Sequence, residues 1–193
     1  PPTVPNLTSP ADLAVIGDTT PLLDWNDSTD AGAGVLDYEV EVDESAAFTV
    51  PVAWSATVTP SEATASVLTE GSWFWHVRAR DQVGNTSAWS ASRSFTIDTT
   101  PPTVPAGVVL SPNGGGYVKG GAVLGLSWDS SAIADPNLAA LPIVLEYTVD
   151  GVIWILIATG EANDGAYDWT VPLVNSALVR VRVSADDVAG TIY

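Results

Sequence analysis

An internal repeat of 100 residues constrains the fold of this chain more than any other feature. The motif PPTVP opens the sequence at residues 1–5 and recurs at residues 101–105. Further landmarks follow in the same order in both halves, including Trp25 with Trp128 and Tyr38 with Tyr147. A unit of this length matches one β-sandwich domain and is much longer than a solenoid repeat. The repeat therefore predicts two tandem domains.

The second copy of PPTVP also predicts the domain boundary. We assign the first domain to residues 1–99 and the second to residues 100–193. The sequence DTTPPT at residues 98–103 joins them, and its two prolines have a fixed φ and no N–H donor. This composition predicts a short, Pro-rich, extended and semi-rigid linker.

Short segments of alternating polarity predict β-strands throughout the chain. In residues 38–43 (YEVEVD) and 73–80 (WFWHVRAR) every second side chain is apolar, as in a strand with one buried face. No window sustains a helical period, so we predict an all-β fold of two immunoglobulin-like, fibronectin type III-like sandwiches. The predicted strands are 6–9, 12–16, 21–26, 35–43, 51–57, 63–68, 72–80 and 89–97, then 106–111, 116–119, 122–128, 143–149, 152–158, 166–171 and 178–184.

The second domain is predicted to lack its last strand. In the first domain residues 88–97 follow the penultimate strand, whereas the second domain reaches Tyr193 where the corresponding segment would start. Two interpretations remain open at this point: either the fragment was cut there, or a partner supplies the strand. In both cases strand 178–184 has an edge that could pair with another chain.

Charge and composition exclude several classes of function. The chain has 23 Asp and Glu against 6 Lys and Arg, a net charge of −17, so it repels nucleic acids and anionic membranes. Its apolar runs are shorter than the roughly 20 residues of a membrane-spanning helix. No cysteine is present, so stability must come from packing or metal rather than disulfides. We expect an extracellular location, with any signal peptide upstream of this segment.

The segments GSWFWHVRARD at residues 71–81 and FTIDTTPP at residues 95–102 carry a family resemblance. They are similar to the tandem fibronectin type III-like and bacterial Ig-like repeats of large microbial surface proteins of the adhesin or S-layer type. The resemblance implies a non-catalytic spacer or assembly module at the cell surface, with neighbouring repeats or other surface proteins as partners. The alternative is an accessory module of a secreted enzyme or adhesin that binds carbohydrate or protein.

Acidic loops are the candidate metal sites. Ca²⁺ takes six to eight oxygen ligands, which Asp, Asn and carbonyl groups in sandwich loops can supply. Asp and Asn also form turns by accepting hydrogen bonds from nearby backbone, so a purely structural role is the alternative. The candidate calcium ligands are Asp24, Asn26, Asp27, Asp30, Asp81, Asp98, Asp186 and Asp187.

The sequence favours a protein that is not an enzyme. His76 is the only histidine, no Gly-x-Ser-x-Gly motif is present, and the alternation predicts His76 as a surface residue of its strand. One histidine without cysteine also rules out an ordinary zinc site. Tryptophans are candidates for glycan stacking: we predict Trp54, Trp89 and Trp154 as partly exposed platforms, and Trp25, Trp75, Trp128 and Trp169 as core.

Overall fold

The structure is a computed structural model that describes residues 1–190. The chain divides into two compact units, Pro1–Thr99 and Thr100–Tyr193. Strands make up the regular structure of the described residues, and their single helical element is a 3₁₀ turn at Ser130–Ala132. The predicted all-β fold is confirmed, and no helix in residues 1–190 is long and apolar enough to cross a membrane.

The first unit consists of two sheets. Its strands are β1 (Asn6–Ser9), β2 (Ala14–Ile16), β3 (Leu22–Asn26), β4 (Val35–Asp43), β5 (Trp54–Val58), β6 (Glu62–Thr64), β7 (Gly71–Asp81) and β8 (Arg93–Ile97). One sheet has three strands in the order β1-β3-β6, and the other has five in the order β2-β8-β7-β4-β5. Every pair is antiparallel except β2 with β8, which run parallel.

Alternation along these strands builds one core between the two sheets. Successive side chains of a strand point to opposite faces, so every second residue of β4 and β7 is turned inward. The buried residues include Val40 on β4, Trp75 and Val77 on β7, and Trp25 on β3. Burying an aliphatic side chain of this size contributes about 1.5–3 kcal/mol, so these inward rows hold the sheets together.

The second unit consists of two three-stranded sheets. Its strands are β9 (Val109–Ser111), β10 (Val123–Trp128), β11 (Leu138–Thr148), β12 (Trp154–Glu161), β13 (Ala166–Thr170) and β14 (Arg180–Asp187). The sheet orders are β9-β10-β13 and β12-β11-β14, and all pairs are antiparallel. The core contains Trp128, Leu145, Trp169 and Val183.

One predicted strand is wrong. Residues 116–119 were expected to form a strand, but they lie in a loop whose residues are exposed, and Tyr117 is fully exposed. Glycines flank the segment on both sides, and Gly114, Gly115 and Gly121 adopt positive φ, which breaks the extended path. β-branched and aromatic residues stabilise a strand by packing against neighbouring strands, and this segment has no neighbouring strand to pack against.

Replacing Leu23 by Ala tests the inward row of β3. Leu23 is 0% exposed and its neighbour Leu22 is 48% exposed on the other face of the same strand. We expect Leu23→Ala to lower the free energy of unfolding by about 2–5 kcal/mol, since it leaves a cavity in the core. The matched change Leu22→Ala should cost less than about 0.5 kcal/mol. Denaturant unfolding measures both, and equal losses would contradict the assigned faces.

Candidate functional site

A row of paired ionisable side chains lies on the outer face of the first unit's five-stranded sheet. Strands β4 and β7 are antiparallel neighbours, so outward residues that face each other can form cross-strand pairs. Three consecutive outward positions of each strand do so, with a carboxylate always on β4 and a basic residue always on β7. The pairs are Asp37 with Arg80, Glu39 with Arg78 and Glu41 with His76. We call these six residues the charged ladder.

The geometry of the ladder is that of a stabilising network. Arg80 donates to both carboxylate oxygens of Asp37, with Nε 3.0 Å from Oδ1 and Nη2 2.5 Å from Oδ2. Arg78 donates from Nε and Nη2 to one oxygen of Glu39. Two-point pairing of a guanidinium with a carboxylate fixes geometry as well as adding attraction. These charged groups are therefore already satisfied by one another.

His76 is the buried end of the ladder, which corrects the expectation of a surface residue. The alternation placed it correctly on the outer face, but only 8% of it is exposed. The ring of Phe48 stacks on His76 at 3.6 Å between centroids, and the ring of Trp89 stacks on it at 3.9 Å. Both aromatic residues come from segments outside β4 and β7, so strand alternation could not reveal this cover.

Burial controls the protonation of His76. Desolvation lowers its pKa below the ordinary value of 6.5. The hydrogen bond of 2.9 Å with Glu41 and the charge of that carboxylate oppose this effect, whereas the charge of Arg78 adds to it. The neutral imidazole is thus favoured in the folded protein. Its Nε2 is bonded to Glu41 and its faces lie against two rings.

The three tryptophans predicted as partly exposed sugar platforms are half-buried, and two of them have a protein group against the ring. Trp89 contacts His76 and also has the guanidinium carbon of Arg78 4.5 Å from its ring centroid. Trp54 is partly buried against the core of the first unit. Trp154 is partly buried, with the guanidinium of Arg182 4.3 Å from its ring centroid. Trp25, Trp75, Trp128 and Trp169 are buried, which confirms that they are core residues.

The second unit repeats one rung of the ladder. Arg182 on β14 donates to Glu146 on β11 at 2.6 Å, and the same guanidinium lies over Trp154. In the first unit Arg78 likewise joins Glu39 and the ring of Trp89. The two units therefore share a carboxylate–arginine–tryptophan set on the outer face of the same kind of strand pair.

The candidate calcium ligands of the first unit lie in separate loops and strands. Asp24 accepts a hydrogen bond from the Thr8 hydroxyl at 2.7 Å, and Asn26 accepts one from the Asn6 amide at 3.3 Å. Asp30 accepts hydrogen bonds from the backbone of Gly32 and Gly34, so it organises its own loop. Asp27 is exposed and Asp98 is 4% exposed. Residues 1–99 contain no three carboxylate or histidine side chains with ligand atoms within 4.8 Å of one another.

Asp81 acts as a turn former at the end of β7. Burial opposes its charge, but hydrogen bonds from the side chain and backbone of Asn85 and from the backbone of Val83 outweigh this and lower its pKa. The carboxylate is 2% exposed and binds the turn that reverses the chain after β7. Asp81 thus has the structural role that acidic loop residues commonly take.

Asp186 and Asp187 lie at the end of β14 and point to opposite faces. Asp187 is 5% exposed, and its carboxylate lies within 4.8 Å of that of Asp135. Burial and the neighbouring charge of Asp187 raise the pKa of Asp186. One carboxylate oxygen of Asp186, Oδ1, is buried and has no hydrogen-bond partner among residues 1–190. Calcium binding stays a prediction here, as it does for the candidate ligands of the first unit.

Two sheets around one core, repeated in consecutive units, define a tandem fibronectin type III-like repeat fold. The structure resembles the fibronectin(III)-like modules of CbhA from Clostridium thermocellum, with a TM-score of 0.60 and 15% identity over 97% of this chain and 88% of that one. It also resembles the FN1–FN3 domains of chicken CNTN1, with a TM-score of 0.53 and 15% identity over 97% of this chain and 63% of that one. No family model and no curated protein sequence matches the chain.

The pH dependence of stability tests the environment of His76. Because its pKa is lowered in the folded state, the unfolded state takes up a proton first as the pH falls. We expect the free energy of unfolding to fall below about pH 6.5, by at most about 1.4 kcal/mol per pH unit. His76→Phe keeps an aromatic ring in the stack and should flatten this slope. Urea titrations between about pH 7.5 and pH 5.5 measure it, and identical slopes in both proteins would contradict the assignment.

Chelation tests the calcium prediction. If Ca²⁺ binds, EDTA should lower the melting temperature and added Ca²⁺ should restore it, since a ligand at 100 times its Kd stabilises by about 2.7 kcal/mol. Asp187→Asn should abolish the difference, and Glu44→Gln, at an exposed position outside the candidate ligands, serves as the control. An unchanged melting temperature with EDTA would disprove calcium binding.

Proposed function

We propose that this chain is a non-catalytic spacer or assembly module of an extracellular, cell-surface or S-layer-like protein. Its partners are neighbouring repeats of the same protein or other surface proteins. The fibronectin type III-like fold supports a structural or accessory role, and a fold alone does not define a ligand. The strong acidity and the absence of cysteine agree with a soluble module stabilised by packing.

The charged ladder is the observation that carries this proposal. A catalytic site needs a base or nucleophile that is accessible and poised toward a substrate. The single histidine is instead hydrogen-bonded to Glu41 and stacked between two rings, and both ladder arginines are paired with carboxylates. These groups bind strand β4 to strand β7. Their chemistry serves the rigidity of the sheet.

The same arrangement bears on the carbohydrate-binding alternative. A sugar stacks on an open aromatic face, and the rings of Trp89 and Trp154 each have at least one protein group against them. These contacts reduce the aromatic surface that a glycan could use. We therefore place the assembly role first and treat glycan binding as an outcome that experiment can reveal.

Mechanical unfolding of single molecules tests the spacer role. The chain has no cysteine, so one cysteine added at each end provides the only two attachment points. We expect two unfolding events, each lengthening the chain by about 300 Å, from roughly 3.3–3.6 Å for each released residue. Leu23→Ala should weaken one event and so identify the first unit.

The controls separate a spacer from a binding module. A glycan array and a panel of glycoside substrates should show neither binding nor turnover by the unmodified chain. Saturable binding of a glycan that is lost in Trp89→Ala or Trp154→Ala, with folding retained, would favour the accessory module instead. Gradual extension without two discrete events would contradict a rigid spacer.

A further inference from the structure

Residues 112–119 lie in the loop between β9 and β10, and every one of them is exposed. Asn113 lies near the start of this loop and is followed by glycine at residues 114–116. A Cβ added at any of these glycines would meet no other atom within 4 Å. The backbone that follows Asn113 therefore runs through open space.

An asparagine that precedes a glycine can react with its own backbone. The nitrogen of the following residue attacks the side-chain amide carbon, and a C–N bond forms as the bond to the side-chain NH₂ breaks. The backbone N–H proton passes to the leaving group, which departs as ammonia. Water then opens the cyclic imide at either carbonyl and gives aspartate or isoaspartate, without oxidant or reductant. Since glycine has no Cβ, it does not shield the attacking nitrogen.

The two reacting groups of this pair are unrestrained. Within residues 1–190 the side-chain amide of Asn113 has no hydrogen-bond partner, and the N–H of Gly114 donates to no acceptor. No strand of the second unit includes residues 112–119. The side chain and the nitrogen can therefore rotate toward each other without breaking a hydrogen bond or a sheet contact.

Two related pairs in the second unit are restrained by the fold. They are the Asp-Gly pairs at residues 150–151 and 164–165, which can cyclise in the same way with loss of water. The N–H of Gly151 donates to the Thr148 hydroxyl at 2.9 Å, so the attacking nitrogen is engaged. The carboxylate of Asp150 accepts two backbone N–H groups at 2.8 Å each. Asp164 likewise accepts the N–H of Ala166 at 3.1 Å.

The other asparagines of the chain do not meet both conditions. None of them is followed by glycine. The amide of Asn85 donates to Asp81 at 2.8 Å, and the amide of Asn163 donates to the carbonyl of Ser130 at 3.0 Å. Asn113 is thus the one asparagine that combines a following glycine with an unrestrained side chain.

Exposure at this place is also a property of the first unit. The Ser-Pro sequence at residues 9–10 corresponds to the one at residues 111–112, so Ala11 and Asp12 correspond to Asn113 and Gly114. Both Ala11 and Asp12 are exposed, although the N–H of Ser94 on β8 donates to Asp12. A strand beside this position therefore does not remove it from solvent.

We propose that Asn113 is a site of spontaneous deamidation in the folded protein. Each event replaces a neutral amide by a carboxylate, so the net charge of −17 becomes more negative by one. The fold tolerates both products, because the loop is exposed and belongs to no sheet. The loop thereby gains negative charge as the molecule ages, close in sequence to Lys119, the only lysine of the chain.

Incubation of the intact, folded chain at mildly alkaline pH tests this proposal by mass spectrometry. Trypsin cleaves after Lys and Arg, so the peptide 94–119 carries Asn113 as its only asparagine and the peptide 120–180 carries three others. We expect deamidation in the first peptide to be at least about tenfold faster, a barrier difference of about 1.4 kcal/mol. An isoaspartate product should accompany it, and a sample taken at time zero corrects for reaction during digestion.

Two glycine variants identify the reacting nitrogen. Gly114→Val should slow the reaction by about tenfold or more, because a β-branched side chain shields the nitrogen that attacks. Gly116→Ala adds a methyl group in open space one residue beyond this pair's neighbour, and should react like the unmodified chain. Thermal melting of the aged protein should match that of fresh protein.

Three results would overturn the proposal. They are equal rates in the two peptides, deamidation that begins only above the melting temperature, and a rate that Gly114→Val leaves unchanged. The first comparison uses two peptides of the same molecule, so it decides the matter even if a variant fails to fold.

Discussion

Both units depend on the pairing of two long central strands whose inner faces must be buried. Val40 and Val77 meet this requirement in the first unit, and Leu145 and Val183 meet it in the second. Once the inner faces are buried, the alternate residues of the same strands are forced outward next to each other. The charged ladder is a consequence of this geometry, because opposite charges on neighbouring strands then face each other at fixed positions.

The two units differ in how they cover the edge of the second central strand. In the first, residues after β7 return and satisfy its backbone groups through Ser87 and Ser90. In the second, the corresponding edge borders a groove among residues 1–190. The ionisable groups of the charged ladder also bind the two central strands of the first unit together.

The sequence predicted those features that depend on residues close together along the chain, and it missed those that join distant residues. Alternation predicted the burial of Trp25, Trp75, Trp128 and Trp169, since it needs only neighbouring residues. It failed at residues 116–119, where β-branched and aromatic residues lie between turns and no partner strand is present. It assigned His76 to the correct face but could not predict the rings of Phe48 and Trp89 over it. The alternating charged residues of the ladder are visible in the sequences EVE (residues 39–41) and HVRAR (residues 76–80). Which carboxylate pairs with which basic residue, however, is set by the register of β4 against β7.

By itself the sequence determined an all-β chain with a repeated unit, a strongly acidic surface and alternating strands, because these properties follow from composition and local periodicity. Only the tertiary structure decided which carboxylate meets which arginine, how His76 is buried, and which loop acids form turns. It also revealed that the β14 edge borders a groove next to residues 104–109. These features join residues that are distant along the chain, and their distances are set by strand register and sheet packing, which no local pattern encodes.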